Sequence, residues 1–230
     1  LGMKAGQKLP LLREYMLRRI GANGDARAIE HLVKGLSQVD TADVQLSFLT
    51  AIRAALRGQR TADKPEQWNE LFAALSRSTN EQVQLQAAVV GVTFGDPTAA
   101  ERLRQELAHM DRPLASRHDA LDALLTAKHD VVETLVDIVS GEKQPAMLRE
   151  GAILGLGQYD DPSIAPTLVK SYAKFNAGQQ RAAIATLAGR ASGARALLIA
   201  MRDKLIPTVD LTADLARQIE LFEDSEVTDL

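Results

Sequence analysis

The chain has 230 residues and a formal net charge of −3, so it can bury a large core but carries no excess of positive charge. Because a nucleic-acid partner requires a basic face, this balance argues against one. The sequence has no cysteine, which excludes disulfides, thiolate metal sites, thiol nucleophiles and covalent c-type haem attachment within this segment. It also has no apolar run of membrane-spanning length.

The chain opens with LGMKAGQKLP, which lacks both a start methionine and the apolar region of a signal peptide. We therefore expect a segment cut from a longer protein, and the compartment is not determined by this segment. The first hairpin is predicted as a helix over residues 9–20, a turn over residues 21–25 and a second helix ending at Leu36. That second helix carries an amphipathic stripe of Ile29, Leu32, Val33 and Leu36.

The second hairpin is predicted as helices over residues 42–57 and 65–76, joined by a long loop over residues 57–65. Apolar residues at helical spacing mark the two helices: Val44, Phe48, Ile52 and Leu56, then Leu71, Phe72 and Leu75. Trp68, the single tryptophan, lies near the start of the second helix. Packing over the long loop is the favoured interpretation of Trp68, and stacking on a ligand is the alternative.

The third hairpin begins at Asn80, a good N-cap, and its first helix is predicted over residues 82–94. Asp96 and Pro97 then form an N-cap and a proline in the first turn of the next helix. Gly91 inside the first helix predicts the close approach of a neighbouring helix. The fourth hairpin is predicted over residues 112–126 and 130–140, with Pro113 at the first helical position and a loop from Gly141 to Pro145.

The fifth hairpin, residues 147–174, is the clearest copy of the repeat, with Asp161 predicted as N-cap and Pro162 as first residue of its second helix. The sixth is predicted over residues 177–190 and 193–204. Its inward residues are Ala183, Ile184, Leu187, Leu197, Leu198 and Met201. A last helix over residues 211–222 follows Pro207, and an acidic tail follows that helix.

The hairpins recur at a nearly constant period, which is the signature of a stacked helical array. The apolar residues seven positions before each hairpin turn lie 32, 39, 32, 32 and 31 residues apart: Leu17, Leu49, Ala88, Ala120, Ala152 and Ala183. The long step coincides with the loop over residues 57–65. We therefore predict an all-α, right-handed α-α superhelix, a HEAT-like solenoid of about six helical hairpins and a C-terminal helix. One domain is expected over residues 1–230, with repeats at 9–204 and a cap helix at 208–222.

Catalytic chemistry has little support in the sequence. His118 and His129 are each followed by an aspartate, but neither histidine belongs to an i, i+4 pair or a His-x-His sequence that would suggest a metal site. No G-x-S-x-G sequence is present, and a Ser-His-Asp triad is not favoured by any pattern. Three glycines at 151, 155 and 157 lie in a predicted helix, which favours helix packing over phosphate binding. We predict no enzyme activity, no catalytic residue, no metal and no cofactor.

The outward positions of the second helices are the predicted partner surface, because those helices line the concave face of such arrays. The named positions carry both charge signs, which suits a protein partner or a spacer with no partner: Glu30, His31, Lys34, Arg102, Gln105, Glu106, Glu133, Thr134, Asp137 and Lys170.

Two segments carry family resemblances. Residues 83–107 and 147–172 combine small residues, an apolar helix, an Asp-Pro turn and a second helix, and they resemble HEAT repeats of the short kind found in phycobilisome-lyase-type proteins. HEAT-like di-iron hydroxylases carry His-Glu pairs, and this chain has no His-Glu dipeptide.

The segment LLIAMRDKLIPTVDLTADLARQIEL at residues 197–221 is similar to the end of a HEAT-repeat region in large multidomain proteins of planctomycete-type bacteria. The matching residues are Ile206, Pro207, Asp210, Leu211, Ala216, Arg217 and Gln218, with Ile219 in place of a leucine. In that family the region lies between a β-propeller, membrane-bound dehydrogenase-like domain and a C-terminal c-type haem domain. The resemblance implies an exported parent, periplasmic or membrane-associated, and transfers no catalytic residue.

We therefore expect a non-catalytic protein-interaction or spacer module that positions such flanking domains, with protein partners and no membrane span in this segment. The alternative is a HEAT-like enzyme, either a chromophore lyase acting on bilins or a DNA-base glycosylase. One consequence for stability is that Ala152→Arg should destabilise the fold by several kcal/mol because it forces a charge into a helix interface, whereas Gln144→Arg in a loop should not.

Overall fold

A computed structural model gives the fold of the chain and describes residues 10–22 and 25–222. Those residues form helices, turns and loops and contain no β-strand. Three parts of the predictions lie outside the described residues, namely the start of the first helix at Leu9, Asn23 and Gly24 of the first turn, and the acidic tail from Glu223. Among the described residues no helix combines the length and the apolar character needed to cross a membrane.

The helices come as six successive pairs and a final helix within the described residues. The first three pairs are α1 (Pro10–Gly21) and α2 (Ala26–Leu36), α3 (Ala42–Ala55) and α4 (Trp68–Leu75), and α5 (Glu81–Thr93) and α6 (Pro97–Ala108). The next three are α7 (Leu114–Thr126) and α8 (Val132–Ser140), α9 (Ala146–Leu156) and α10 (Ile164–Ser171), and α11 (Ala177–Ala188) and α12 (Ala191–Arg202). The final helix is α13 (Ala213–Glu220), preceded by a short 3₁₀ turn over Thr208–Asp210.

The chain divides into two compact units. Of the described residues, the N-terminal unit comprises 10–22, 25–109 and 119–129, and the C-terminal unit comprises 110–118 and 130–222. Helix α7 contributes residues to both units. The single domain expected over the whole chain stays a prediction.

In the N-terminal unit, first helices stack on first helices. Helix α3 packs against α1 on one side and α5 on the other, while α2 packs on both α1 and α3, and α5 packs on α4 and α6. The stripe predicted on α2 is buried, with Ile29, Leu32, Val33 and Leu36 all facing the core. This packing is what a stacked array of hairpins requires, because a single hairpin cannot bury both of its apolar faces.

The C-terminal unit repeats the pattern in two rows. One row contains α9, α11 and α13 and the other contains α8, α10 and α12, with each helix packed on the next in its row. Ala152 and Ala183 of the first row are fully buried, as are Leu168 and Leu197 of the second. The predicted fold class, an all-α HEAT-like array of helical hairpins, is confirmed.

Side-chain caps set where several helices begin. The Asn80 side chain accepts hydrogen bonds from the backbone N–H groups of Gln82 and Val83, and the Asp96 carboxylate accepts from Thr98 and Ala99. Pro97 lies in the first turn of α6. These two predicted starts are confirmed, because Asn and Asp satisfy N–H groups that have no partner within the helix.

The predicted Asp-Pro start of α10 is wrong. The helix begins at Ile164 with Ser163 as N-cap, two residues later than expected. The Asp161 carboxylate instead accepts hydrogen bonds from the backbone N–H, 2.8 Å, and the side-chain hydroxyl of Ser163. Asp161 therefore closes a short turn just before the helix, and its backbone carbonyl also accepts a 3.2 Å hydrogen bond from the N–H of Ile164, the first helical residue.

Several other helix starts differ from the predictions by one to three residues. The second helices of hairpins two, four and six were predicted from residues 65, 130 and 193 and begin at Trp68, Val132 and Ala191. Helix α7 begins at Leu114, so Pro113 precedes the helix rather than opening it. The last helix begins at Ala213 behind Thr212, whose side chain accepts from the Leu215 N–H, and not at Leu211. A 3₁₀ turn after Pro207 takes up the residues that had been assigned to the start of that helix.

The structure gives a reason to revise the expectation that Gln144→Arg leaves stability unchanged. The Gln144 side-chain oxygen accepts a hydrogen bond of 2.8 Å from the guanidinium of Arg117, which is only 1% exposed. Arg149 holds the same loop by donating to the carbonyls of Gly141 and Glu142. A second cation at position 144 would face the buried Arg117 charge, so this loop position is a structural one.

Candidate functional site

Helix α2 presents three of the predicted partner residues to solvent. Glu30, His31 and Lys34 are exposed, whereas the neighbouring Ile29 and Val33 are buried. The His31 ring forms a 2.7 Å hydrogen bond with the carbonyl of Arg27 one turn earlier. The amphipathic pattern of α2 therefore fixes which of its residues are accessible.

The long loop of the second hairpin forms the opposite wall of a groove beside α2. The loop leaves α3 through Gly58, whose φ of +79° lies in the left-handed region that favours glycine. It is fastened at its middle by a 3.0 Å hydrogen bond from the Ala62 N–H to the Thr93 carbonyl of α5. It is fastened at its end by a 2.9 Å bond from the Trp68 N–H to the Pro65 carbonyl.

The groove consists of two adjoining cavities, of about 220 Å³ and about 360 Å³, that share Glu30 and Pro65. We call it the α2–loop groove. Its helix wall is formed by Ala26, Ile29, Glu30, Val33 and Lys34, and its loop wall by Gln59 and residues 62–67. Only the second cavity reaches the lower end of the range for pockets that hold small ligands, roughly 300–1,000 Å³.

The α2–loop groove carries charges of both signs. Carboxylates come from Glu30, Asp63 and Glu66, and ammonium groups come from Lys34 and Lys64. Within residues 10–22 and 25–222, none of these five side chains forms an ion pair or a hydrogen bond.

The predicted residues of α6 face different surroundings. Arg102 is half-buried and donates a 3.0 Å hydrogen bond to Gln84, and Gln105 is exposed and donates to Glu101. The prediction that Glu106 points outward is wrong, because this residue is buried, with 6% of its surface exposed. Position 106 lies three residues after the buried Leu103, at the edge of the apolar stripe, whereas position 105 lies on the opposite face, so the helical spacing was a signal that the prediction did not use.

In the C-terminal unit, the remaining predicted residues lie on two neighbouring helices. Glu133 and Asp137 are exposed on α8 and Lys170 is exposed on α10, while Thr134 is half-buried. Helices α8 and α10 pack against each other. The three exposed residues are accessible to a partner, and their role as partner contacts stays a prediction.

A polar ladder that the sequence analysis missed joins three first helices of the N-terminal unit. Arg53 on α3 donates to the carboxylate of Asp119 at 3.0 Å and to the side-chain oxygen of Gln86 on α5 at 3.4 Å. Gln86 in turn donates to Asp119 at 3.1 Å. Successive members are 33 residues apart, close to the repeat period, and this spacing of polar residues was the available signal.

Contacts with the same spacing bind adjacent repeats of the C-terminal unit. Thr186 donates to the carbonyl of Ile153 at 3.1 Å, and Arg190 donates to the carbonyl of Gly157 at 3.1 Å. The buried Gln179 donates to the carbonyl of Ala146, also at 3.1 Å. These bonds fasten α11 and the residues that follow it to the first helix before it, α9.

Trp68 is part of the core. Its ring has no exposed surface, stacks on Phe72 with the ring centroids 5.9 Å apart and meets the edge of Phe94 at 4.9 Å. The structure therefore favours packing for this residue, because a fully covered ring offers no face on which a ligand could stack.

The histidines do not gather in one site. Among the described residues there is no group of three or more His, Asp or Glu side chains that could hold a metal ion. Burial and the positive charge of Arg104 lower the pKa of His129. His129 is thus held toward its neutral form within the N-terminal unit.

Residues of the C-terminal resemblance fasten the end of the array. The Tyr172 hydroxyl, at the end of α10, donates a 2.8 Å hydrogen bond to the Asp210 carboxylate, and burial with this bond raises the pKa of Tyr172. Ile206 is fully buried, and Gln218 donates to the carbonyl of Ala188 on α11 at 3.3 Å. The matching residues Ile206, Asp210 and Gln218 therefore hold the last helix, and the turn before it, against the helices that precede them.

Comparison with known proteins adds a structural likeness only. No protein-family model and no curated protein matches the chain. Among solved structures, the chain is similar to human deoxyhypusine hydroxylase in complex with glycerol, with 20% sequence identity and a TM-score of 0.41 over 96% of this chain and 80% of that one. A likeness at this level gives no information about the activity of this chain.

Proposed function

We propose that the chain is a non-catalytic protein-interaction module that also holds its neighbouring domains apart. The observation that carries this proposal is the α2–loop groove, which exposes five charged groups of both signs that form no ion pair with one another or with any other described residue. Exposed charges of both signs next to buried apolar residues suit a protein partner better than a uniformly charged ligand.

The spacer part of the proposal is supported by the bonds between repeats. In each unit, polar side chains on one first helix bond to groups on an adjacent first helix, as Arg53 does with Gln86 and as Gln179 does with Ala146. Such bonds resist sliding between stacked helices because a shift would leave buried polar groups unpaired. A stiff unit keeps the distance and the orientation between its two ends fixed, as a spacer requires.

The finer form of the proposal is that the neighbouring domains are dehydrogenase-like and c-type haem domains of a larger exported bacterial protein. It is supported by the C-terminal motif, in which Ile206, Asp210 and Gln218 each contribute to docking the last helix. A segment that ends a repeat array in this way provides a defined surface from which a following domain can start.

The proposal is tested with the chain and the domains that flank it in its parent protein. We expect the purified chain to bind at least one flanking domain in isothermal titration, and we expect deletion of residues 9–204 to change the activity of the parent. No association with either domain, combined with unchanged parent activity after the deletion, would refute the proposal.

A second candidate function is that of a HEAT-like enzyme, such as a chromophore lyase or a DNA-base glycosylase. The cavity beside α2 is the observation in its favour, since it is large enough for a small substrate. The glycosylase form predicts that the chain retards DNA in a gel at low salt, and the lyase form predicts a changed absorption spectrum on mixing with a bilin.

A further inference from the structure

We propose that α13 is the first helix of a seventh hairpin, and that the chain from Asp224 onward folds as the second helix of that hairpin and packs against α12. The contact joins two parts of the same chain, so it does not depend on the proposed binding of neighbouring domains. The surface of α12 that ends its row of helices is then an internal docking surface for the segment that follows α13.

Helix α13 occupies the position of a first helix. An apolar residue near the end of each first helix from α5 to α13 is buried, and its successive copies lie 32, 32, 31 and 32 residues apart: Val92, Leu124, Leu156, Leu187 and Ile219. Helix α13 packs on α11, the first helix before it, and Gln218 donates to the carbonyl of Ala188 on α11. The row of first helices therefore continues through α13 without a change of period.

The row of second helices lacks the corresponding member within the described residues. Helix α10 lies between α8 and α12 in this row, whereas no second helix follows α12 in the part of the chain that the structure describes. Each earlier first helix of the C-terminal unit is followed by a second helix that packs on the previous one, as α9 is followed by α10 on α8 and α11 by α12 on α10. A second helix that follows α13 would by the same step pack on α12.

The spacing of the turns indicates where this helix begins. In three of the four hairpins from the third onward, an aspartate follows the buried residue of the first helix by four to six positions and precedes the second helix: Asp96, Asp130 and Asp161. Asp224 follows Ile219 by five positions. An aspartate at such a position can accept hydrogen bonds from backbone N–H groups that have no partner within the helix, as Asp96 does.

The residue three positions after the aspartate contributes to the core in two of these hairpins. Ala99 and Ile164 are both buried there, while the fourth hairpin has the exposed Glu133 at this position and buries Val131 instead. Val227 lies three positions after Asp224. The segment thus combines a capping residue with an apolar residue at the spacing of a helix start.

The neighbours of Val227 follow from the contact between the two preceding hairpins. Gly193 lies three residues after Arg190, the N-cap of α12, and so corresponds to Ile164 of α10. Ile164, Ser192 and Gly193 line the same small cavity, so the starts of successive second helices lie side by side. Val227 is the next residue of this series, and we expect it beside Ser192 and Gly193 at the start of α12, away from the end of that helix.

Disulfide trapping in the intact chain tests this position, because the sequence has no cysteine of its own. One variant carries Ser192→Cys with Val227→Cys, and the control carries Asp203→Cys with Val227→Cys. Ser192 and Asp203 are both exposed, and 11 residues of helix separate them by about 16 Å. Since a disulfide requires Cα atoms within about 7 Å of each other, only one of the two pairs can form from a fixed helix. We expect mild oxidation to remove the free thiols of the first variant and to leave those of the control.

Three outcomes of the trapping experiment would overturn the inference. Equal oxidation of the two pairs would show that the segment after α13 has no fixed position on α12. Oxidation of the control pair alone would place the segment at the wrong end of α12, and oxidation of neither pair would show that the segment does not reach it. The introduced cysteines on α12 replace exposed residues, so both variants should fold.

A second measurement tests whether Val227 is buried by the contact. Val227→Asp should lower the melting temperature of the chain, because it places a charge among apolar residues. Ser225→Asp is the matched control, since the corresponding Pro97 and Pro162 of earlier hairpins are exposed. A melting temperature of Val227→Asp equal to that of Ser225→Asp would contradict the proposed packing.

Discussion

Replacing Gly91 with alanine should have two opposing effects on the free energy of unfolding, a gain from helix propensity and a loss from steric contact. Gly91 lies inside α5, where alanine is intrinsically favoured by about 1 kcal/mol. A Cβ atom at this position would lie 2.9 Å from the Cβ of Ala99 on α6. It would also lie 3.5 Å from Phe72 and 3.6 Å from Trp68, so aromatic rings restrict movement of α5 in other directions.

The structure indicates that the steric effect is the larger one. The new contact must open from 2.9 Å to an ordinary distance of at least 3.4 Å, so α5 and α6 must separate by about 0.5 Å in a close-packed core. Overpacking of this kind costs about 1–3 kcal/mol. After subtracting the propensity gain, we expect Gly91→Ala to lower the free energy of unfolding by about 0–2 kcal/mol.

A double-mutant cycle decides between the two effects. Ala99→Gly removes the methyl group that Gly91→Ala would strike, so the double variant should be more stable than the sum of the single changes predicts, by about 1–3 kcal/mol. Urea unfolding measures each term. Ala185→Gly, at an exposed position of α11, calibrates the cost of glycine in a helix without that contact. Two results would show that α5 and α6 are not in steric contact at this position. One is a double variant whose change in the free energy of unfolding equals the sum of the single changes. The other is a gain of about 1 kcal/mol in Gly91→Ala alone.

Four other changes test separate parts of the structure. Ala152→Arg should destabilise by several kcal/mol and Gln144→Arg by about 1–3 kcal/mol, so both should melt below wild type; a wild-type melting temperature for Gln144→Arg would mean that its bond to the buried arginine contributes nothing. Burial lowers the pKa of His129 in the folded chain, so the unfolded chain takes up a proton at a higher pH. The free energy of unfolding should therefore decrease as the pH falls below about 6.5. His129→Gln should reduce this decrease when the free energy of unfolding is measured by urea denaturation at several pH values. Tyr172→Phe should cost about 1–3 kcal/mol because it removes a hydroxyl bonded to a carboxylate, and an unchanged urea midpoint would argue against that bond.

The candidate site was only partly predictable. Glu30 and Lys34 were recognised as accessible because the period of α2 places Ile29 and Val33 inward, and period alone is enough to separate those two faces. The opposite wall was recognised only as an enlarged loop. Its path depends on the bond from Ala62 to Thr93, two residues that no local pattern connects.

What the sequence by itself determined is the local structure: the helices, their period of about 32 residues, and the starts at Asn80 and Asp96. Each depends on groups within a few residues, where spacing and capping chemistry act directly. Only the tertiary structure decided that Gln144 bonds a buried arginine, that Arg53, Gln86 and Asp119 meet, and that the loop faces α2. Those outcomes depend on how each helix is rotated and offset against its neighbours, and that packing is set by the whole core rather than by any one segment.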